Sequence, residues 1–436
     1  MASVARPAAP PPGAPFDVVH YDAAVAPDPA GKTVTGTVAI DLVSTTDSLE
    51  TVDLDIGALT IDGVRADGAA LEFTQSDRRL HARLKEPAAR GARRRLDLEY
   101  HGAPRYGLEF VPEKSQVYTI FSTSQWLPCI DAPADKATLR LTLILPEGLR
   151  VVANGRAVSA RPLPDGRVAH EWSLDEPAPT YTFGFAAGKF TEAMDKQGRT
   201  RLRYLSTDAS AAELLKIFAD TKDMLRFFED RSGVRYHGAT YAQALVEKTI
   251  GQELAGFSLM SEEYGKGVIG DPTTIGLLAH EFAHQWWGNR VTCRDWTHFW
   301  LNEGFATFMA AAYREKRFGR EAYLKDVEGW RARYERVRAA GKDRSLVFPD
   351  WNRPTSDDRA LVYQKGALVL HELRERIGEA AFWKAMRAYT RAHLRGSVVT
   401  ADFERAIEES TGKDLSSFFS EWVHLQPRAS NKGQVK

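Results

Sequence analysis

Two histidines and a glutamate near the middle of the chain have the spacing of a metal-binding helix. His280, Glu281 and His284 form an HExxH pattern within residues 273–288, a segment of helical character with no internal proline. Residues four apart on a helix project from the same face, so both imidazoles can reach one metal ion. The carboxylate of Glu281 can then take a proton from a water on that metal. For either histidine taken alone, a hydrogen-bonded place in the core is the alternative.

A third candidate ligand follows in the next segment. Glu303 lies in Trp300-Leu-Asn-Glu-Gly, after the eighteen residues 285–302, and opens a run with helical spacing that includes Met309 and Tyr313. Two histidines and one carboxylate with an open fourth position are a ligand set typical of catalytic zinc. We therefore predict one Zn²⁺ per chain, held by His280, His284 and Glu303, with Glu281 as the general base.

Two periodicities divide the chain into the regions that must position these residues. From residue 16 to 205, apolar and polar residues alternate, as around Val38, Ile40 and Leu42. This alternation predicts antiparallel strands in a saddle- or sandwich-like β domain. From residue 206 to 425 the spacing becomes helical, beginning with a capping-box sequence at Ser210 and Glu213. The predicted fold class is therefore α+β, with an N-terminal β domain (16–205) followed by a mainly helical domain (206–425).

The two ends of the chain have compositions that do not favour packing. Residues 1–15 are rich in proline and alanine and are predicted to form a disordered arm, and residues 426–436 a disordered polar tail. The arm lacks the apolar stretch of a secretory signal. Cys129 and Cys293 are isolated in sequence, which favours a reducing compartment. We expect a cytoplasmic protein; export with a leader removed before residue 1 is the alternative.

The overall composition argues against two classes of partner. Lys+Arg and Asp+Glu residues number 58 each, so the chain lacks the basic excess that nucleic-acid binders usually show. No apolar run approaches the ~20 residues that a helix needs to cross a bilayer. We therefore expect neither a nucleic acid nor a membrane as a partner.

The motifs around the predicted ligands resemble those of a known family. His280 to His284, followed by Trp300-Leu-Asn-Glu-Gly, is similar to the M1 family of zinc metallopeptidases, the family of aminopeptidase N and leukotriene A4 hydrolase. The resemblance extends into the β domain through Leu127-Pro-Cys-Ile-Asp-Ala-Pro and Tyr181-Thr-Phe-Gly-Phe. It implies a thermolysin-like catalytic domain, a peptide substrate and hydrolysis by metal-activated water.

The resemblance also implies roles for two residues outside the ligand set. Tyr363, in Tyr-Gln-Lys-Gly, matches the tyrosine that stabilises the oxyanion in the family, and a phenol is a suitable donor for that purpose. Glu253 matches the glutamate of a Gly-x-Met-Glu-Asn segment that binds the α-amine of the substrate.

The chain departs from the family around this amine-binding glutamate. Ile250, Gln252 and Leu254 stand where the family has glycine, methionine and asparagine. Thr119 stands where a glutamine usually assists amine binding. These departures leave the predicted chemistry intact but put strict exopeptidase character in question.

The motifs and the resemblance leave three possible functions. The leading prediction is a zinc-dependent aminopeptidase that removes N-terminal residues from oligopeptides. The alternative is a zinc endo- or oligopeptidase with weakened amine anchoring. A catalytically silent peptide-binding protein is disfavoured, because all three ligands and the base are present. The resemblance ends near residue 425, before the large C-terminal helical domain of most members, so we expect a short two-domain form, either a monomer or a homodimer.

Overall fold

The computed structural model describes residues 13–425, except for residues 77, 249–250 and 350–353. The chain forms two units, the first from residues 13–222 and 237–274 and the second from residues 223–236 and 275–425. Most of the predicted arm, the whole predicted tail and Ile250 lie outside the described residues. The domain boundary after residue 205 stays a prediction.

Three β-sheets make up most of the first unit. They are an eight-stranded sheet, a four-stranded sheet and a three-stranded sheet. Their strands are β1 (Phe16–Asp28), β2 (Thr33–Ser44), β3 (Leu49–Asp55), β4 (Leu59–Ala66), β5 (Ala69–Ala70), β6 (Glu72–Ser76), β7 (Arg79–Ala88), β8 (Arg93–Gly102), β9 (Leu108–Val111), β10 (Gln116–Thr119), β11 (Lys136–Pro146), β12 (Arg150–Ala153), β13 (Arg156–Pro162), β14 (Arg167–Pro179) and β15 (Phe185–Gly188). The strand orders are β13-β14-β11-β1-β2-β8-β4-β5, β12-β15-β10-β9 and β3-β7-β6.

The alternating pattern buries one face of each long strand. Val38, Ile40 and Leu42 of β2 are buried, and they belong to one hydrophobic cluster that draws residues from all three sheets. The predicted β-rich N-terminal region is therefore confirmed. One pairing departs from the antiparallel expectation, since β1 and β11 run parallel with Tyr21 opposite Leu139. Parallel strands need a long connection, and residues 29–135 supply it.

A further sheet of the first unit lies partly in the region predicted to be mainly helical. Its strands are β16 (Thr191–Gln197), β17 (Thr200–Ser206), β18 (Thr240–Val246), β19 (Gly251–Gln252) and β20 (Phe257–Ser261), in the order β16-β17-β18-β20-β19. β18 is buried on both faces from Tyr241 to Val246. A strand buried on both faces has no apolar–polar alternation, so periodicity does not reveal it.

Short helices follow β17 and β20 along the chain. α1 (Ala211–Ile217) begins with the predicted capping box, in which Ser210 Oγ accepts from Glu213 N at 3.3 Å and Ser210 N donates to the Glu213 carboxylate at 2.8 Å. Residues 218–220 interrupt the helical conformation before α2 (Thr221–Ser232). At the start of α2 the Thr221 hydroxyl donates to Gln243 Oε1 at 2.6 Å. α3 (Glu262–Gly270) follows β20.

Helices dominate the second unit, which confirms the predicted α+β class. They are residues 223–232 of α2, followed by α4 (Gly276–Ala283), α5 (Trp300–Phe318), α6 (Arg320–Ala339), α7 (Ser356–Ala360), α8 (Gly366–Ile377), α9 (Glu379–Ala392), α10 (Thr400–Thr411) and α11 (Ser416–Phe419). Two short strands, β21 (Thr292–Cys293) and β22 (Ser397–Val398), pair in parallel. Among the described residues, the structure has no helix long and apolar enough to span a bilayer.

Two glycines allow α5 and α8 to cross at close range. A Cβ on Gly304 would lie 2.9 Å from the Cα of Gly366, and a Cβ on Gly366 would lie 3.0 Å from the Cα of Gly304. The obstructing atoms are backbone, which cannot rotate aside as a side chain can. Gly304 directly follows Glu303, and Gly366 comes three residues after Tyr363. The crossing therefore sets the separation of the two segments that carry predicted site residues.

We expect Gly304→Ala to destabilise the protein by about 1–3 kcal/mol, because the added methyl overpacks a helix crossing. The matched control is Gly329→Ala, since Gly329 lies exposed within α6 and a Cβ there meets no atom within 4 Å. That control should be neutral or stabilising by up to about 1 kcal/mol, because alanine favours helices. Urea denaturation of both variants measures the difference. Equal midpoints would mean that the two helices separate at no cost.

Candidate active site

The three predicted ligands converge in the second unit. His280 Nε2 lies 3.2 Å from Glu303 Oε2, and His284 Nε2 lies 3.1 Å from His280 Nε2 and 3.4 Å from Glu303 Oε2. Among the described residues, these three form the one group of His, Cys, Asp or Glu side chains arranged to hold a metal ion. α4 supplies the first histidine, His284 caps the end of the same helix, and α5 supplies the glutamate.

These separations fit zinc. Ligand atoms about 2.0–2.2 Å from a tetrahedral Zn²⁺ lie about 3.3–3.5 Å from one another, close to the separations found here. The Nδ1–H of His284 donates to the carbonyl oxygen of Trp287 at 3.0 Å. A proton on Nδ1 leaves the lone pair on Nε2, the atom that faces the other two ligands. The three side chains therefore fit one zinc ion.

The electrostatics of the cluster favour the protonation states that bind a cation. Burial by itself would raise the pKa of Glu303, but positive charge on His284 and hydrogen bonds from His280 and His284 outweigh burial and lower that pKa to about 2. A bound cation would supply that positive charge when the imidazoles are neutral. Burial also lowers the pKa of His280. At neutral pH the glutamate is thus an anion and the His280 imidazole is neutral, as metal ligation requires.

The helix that carries the HExxH pattern is shorter than predicted. α4 ends at Ala283 rather than continuing to Gly288, because the backbone tightens after His284 and turns the Trp287 carbonyl toward the imidazole. Gly288 has a φ of +128°, and a Cβ there would lie 2.7 Å from His284 Nδ1. Only glycine suits that position, so this turn encloses the second ligand.

Two contacts anchor the start of α5 and hence Glu303. Asn302 Oδ1 accepts from the backbone N–H of Cys293 in β21 at 2.9 Å. The indole N–H of Trp300 donates to Thr400 Oγ1 at 2.9 Å, at the start of α10. No motif in the sequence predicts the contacts of Asn302 and Thr400. An asparagine in the buried first turn of a helix was the available signal for the first of them, since buried amides need partners.

The predicted base and the predicted oxyanion donor lie in the same unit as the ligands. Glu281 is buried in α4, directly after His280. Tyr363 lies in a π-helical turn (Leu361–Lys365) between α7 and α8, and its ring faces that of His280, with centroids 6.0 Å apart and planes within 10° of parallel. Such π-turns are frequent at functional sites.

A buried ion pair holds the turn that carries Tyr363. Lys365 is 0% exposed, and its ammonium donates to Asp343 Oδ1 at 2.8 Å and to the Arg344 carbonyl oxygen at 3.0 Å. The hydroxyl of Tyr334 donates to the other oxygen of Asp343 at 2.7 Å. A buried cation is tolerated when it is paired and hydrogen-bonded in this way. Long side chains far apart in sequence make these contacts, so no local motif predicts them.

The predicted amine-binding residue lies in the first unit. Glu253 is half-buried and follows β19. Thr119, at the position of the family's glutamine, is buried at the end of β10, and its Oγ1 accepts from the backbone N–H of Phe185 in β15 at 2.9 Å. Its hydroxyl is thus bound to the neighbouring strand. The roles of Glu253, Glu281 and Tyr363 stay predictions.

Comparison with known proteins agrees with this arrangement. The model of the peptidase M1 N-terminal domain matches residues 18–182, and that of the peptidase family M1 domain matches residues 219–422. Aminopeptidase N of Lactococcus lactis subsp. lactis is 28% identical, over 90% of this chain and 49% of its own. Probable aminopeptidase 2 of Sulfurisphaera tokodaii is 25% identical, over 85% of this chain and 49% of its own. The chain thus spans about half the length of the curated relatives it matches.

The fold is also similar to that of a solved metallopeptidase. The M1 zinc metallopeptidase from Deinococcus radiodurans superposes with a TM-score of 0.79 at 24% identity, covering 96% of both chains. A mutant of that protein has been solved with a Tyr-Ser-Ala substrate. Since both models of one family match in order along most of the sequence, this chain belongs to peptidase family M1.

Proposed function

We propose that this protein is a zinc-dependent aminopeptidase that removes N-terminal residues from oligopeptides. The convergence of His280, His284 and Glu303 carries the proposal, because three such ligands leave one zinc position for water or substrate. Membership of family M1 and relatives named aminopeptidases support the same reaction. The peptide complex of the Deinococcus radiodurans protein supports a peptide as substrate.

The chemistry divides between the metal and the side chains around it. Zinc, when bound, supplies Lewis acidity toward the scissile carbonyl and makes a water more acidic. Glu281 accepts the proton of the attacking water and passes it to the departing amine. Its place beside His280 in a buried helix suits a base that works next to the first ligand.

Two further side chains complete the proposal. The phenol of Tyr363 donates a hydrogen bond to the oxyanion that develops on the scissile carbonyl. The ring stacked on His280 is the contact that supports this role. The carboxylate of Glu253 binds the α-ammonium of the substrate, which restricts cleavage to the first peptide bond.

An endo- or oligopeptidase is the second candidate. The bond between the Thr119 hydroxyl and Phe185 N favours it, because the glutamine that assists amine binding in the family has no equivalent at this position. We also propose a cytoplasmic location, supported by Cys129 and Cys293, which are both buried and are not joined in a disulfide.

One oligopeptide, supplied with a free N-terminus and in N-acetylated form, separates the two candidates. Zinc-loaded enzyme should shorten only the free peptide, one residue at a time, because the acetyl group removes the positive charge that Glu253 binds. Mass spectrometry of the products over time measures this. Enzyme stripped with a chelator is the control and should release nothing. Internal cleavage of both peptides would establish the endopeptidase instead.

Glu281→Gln should keep one zinc per chain and lose about 10²–10⁴-fold in kcat, because glutamine cannot accept the proton. Metal analysis and steady-state kinetics measure the two properties. Glu321→Gln, at an exposed position of α6, is the matched control and should match the wild type. Turnover that survives in the Glu281 variant would rule out this residue as the base.

Tyr363→Phe should lower kcat by about 10²-fold or more with little change in KM, because the phenol acts on charge present only in the transition state. The control is Tyr323→Phe, a buried tyrosine of the same unit whose hydroxyl bonds His371 Nδ1 at 2.8 Å. That variant should lose stability but keep kcat. Equal losses of kcat in the two variants would show that the tyrosine at 363 has only a packing role.

A further inference from the structure

Gln252, which stands where the family has methionine, bridges the predicted amine anchor to the backbone of another segment. It is 1% exposed, and its Nε2 donates to Glu253 Oε2 at 2.8 Å. Its Oε1 accepts from the backbone N–H of Phe121 at 2.7 Å. All three residues belong to the first unit. A methionine thioether has no donor and could not make this bridge.

The chemistry of the two partners determines which way the Gln252 amide points. A carboxylate can only accept, so the NH₂ group must face Glu253. A backbone N–H can only donate, so the carbonyl oxygen must face Phe121. The reverse orientation would lose both hydrogen bonds, and the bridge therefore has one arrangement.

The backbone at Phe121 is strained in the conformation that makes this bridge. Its φ is +56°, a region that a bulky residue rarely adopts, and its ring is 61% exposed. The preceding residues are held in place, since Thr119 pairs with Leu108 of β9 and Ile120 N donates to Gly107 O at 3.1 Å. Strain of this kind persists where the surroundings enforce it, and it is concentrated at functional sites.

We propose that Gln252 is a positioning residue for amine recognition. Its amide holds the Glu253 carboxylate in the orientation that binds the α-ammonium of the substrate, and the Phe121 N–H holds the amide. This inference rests on the proposed aminopeptidase function. It explains how the first unit retains an amide beside the anchor although Thr119 replaces the family's glutamine: the amide comes from position 252.

The expected effect follows from the charged partner of this bond. Hydrogen bonds to an ionised carboxylate are stronger than neutral ones, and they restrict the rotamers of the side chain they hold. Gln252→Met removes this donor at similar volume and so weakens the restriction on the Glu253 rotamer. The loss should therefore appear in binding of the substrate ammonium and not in the zinc chemistry.

A pair of probes isolates that loss. The first is a tripeptide with a free α-amine, and the second is its des-amino analogue, which keeps every side chain but lacks the ammonium. In Gln252→Met we expect the KM of the first probe to rise about tenfold, in line with a lost charge-assisted bond. The kcat and the Ki of the second probe as a competitive inhibitor should stay within about twofold, because neither depends on the anchor.

A control variant separates this role from a general packing effect. Gln243→Met changes another buried glutamine of the same sheet, which accepts from Thr221, and should lower the melting temperature without changing probe discrimination. If Gln252→Met does not fold, Gln252→Asn replaces it, since the shorter amide cannot reach both partners.

The outcomes distinguish failure of the inference from failure of the function. If the wild type binds both probes equally, amine anchoring is absent and the proposed aminopeptidase function is wrong. If the wild type discriminates and the Gln252 variant keeps that discrimination, the function stands and the positioning role is overturned. A loss of discrimination in Gln243→Met equal to that in Gln252→Met would also overturn it.

Discussion

The second unit is organised around one requirement, that two imidazole nitrogens and a carboxylate oxygen stay within 3.4 Å of one another in a largely buried place. A buried anion is costly unless positive or polarised groups face it, and a cation held by all three side chains would provide that balance. The turn after α4 encloses His284, and Asn302 ties the start of α5 to β21. The glycine crossing of α5 and α8 then sets the distance to the segment of Tyr363. Each is a rigid contact, as a preformed metal site needs.

In the first unit, the feature that corresponds to this is the orientation of one flexible carboxylate, that of Glu253. Glu253 has several rotatable bonds, and the neighbouring Gln252 amide donates a hydrogen bond to its carboxylate. That amide is itself fixed by a backbone N–H at a strained residue. The departures from the family at positions 119 and 252 are then two parts of one change. Considered together, Thr119 and Gln252 indicate that the amide beside the anchor has moved from position 119 to position 252. Considered separately, each departure suggests a loss of amine binding.

Sequence reasoning reached the fold class and the ligand set because both depend on local spacing. HExxH places two ligands on one helix face, and the capping box at Ser210 and Glu213 appears as predicted. The strand β18 was not predicted, because a strand buried on both faces shows no alternation of apolar and polar residues. The predicted helix was longer than α4 because a local bond, from the His284 side chain to the Trp287 carbonyl three residues on, competes with helical backbone bonds. Contacts such as that of Asn302 with Cys293 join residues that no short-range pattern connects.

The ion pair between Lys365 and Asp343 constrains how this protein can evolve. Losing either partner alone leaves the other without its opposite charge, which is unfavourable. Replacing both residues one at a time therefore passes through a destabilised single variant. The Tyr334 hydroxyl bound to the same carboxylate adds a third position to the group. Homologous chains should therefore keep all three side chains or replace them together, and aligned sequences should show correlated changes at 334, 343 and 365. The turn that carries the proposed oxyanion donor would thus be recorded as coupled variation at three residues outside the set of metal ligands.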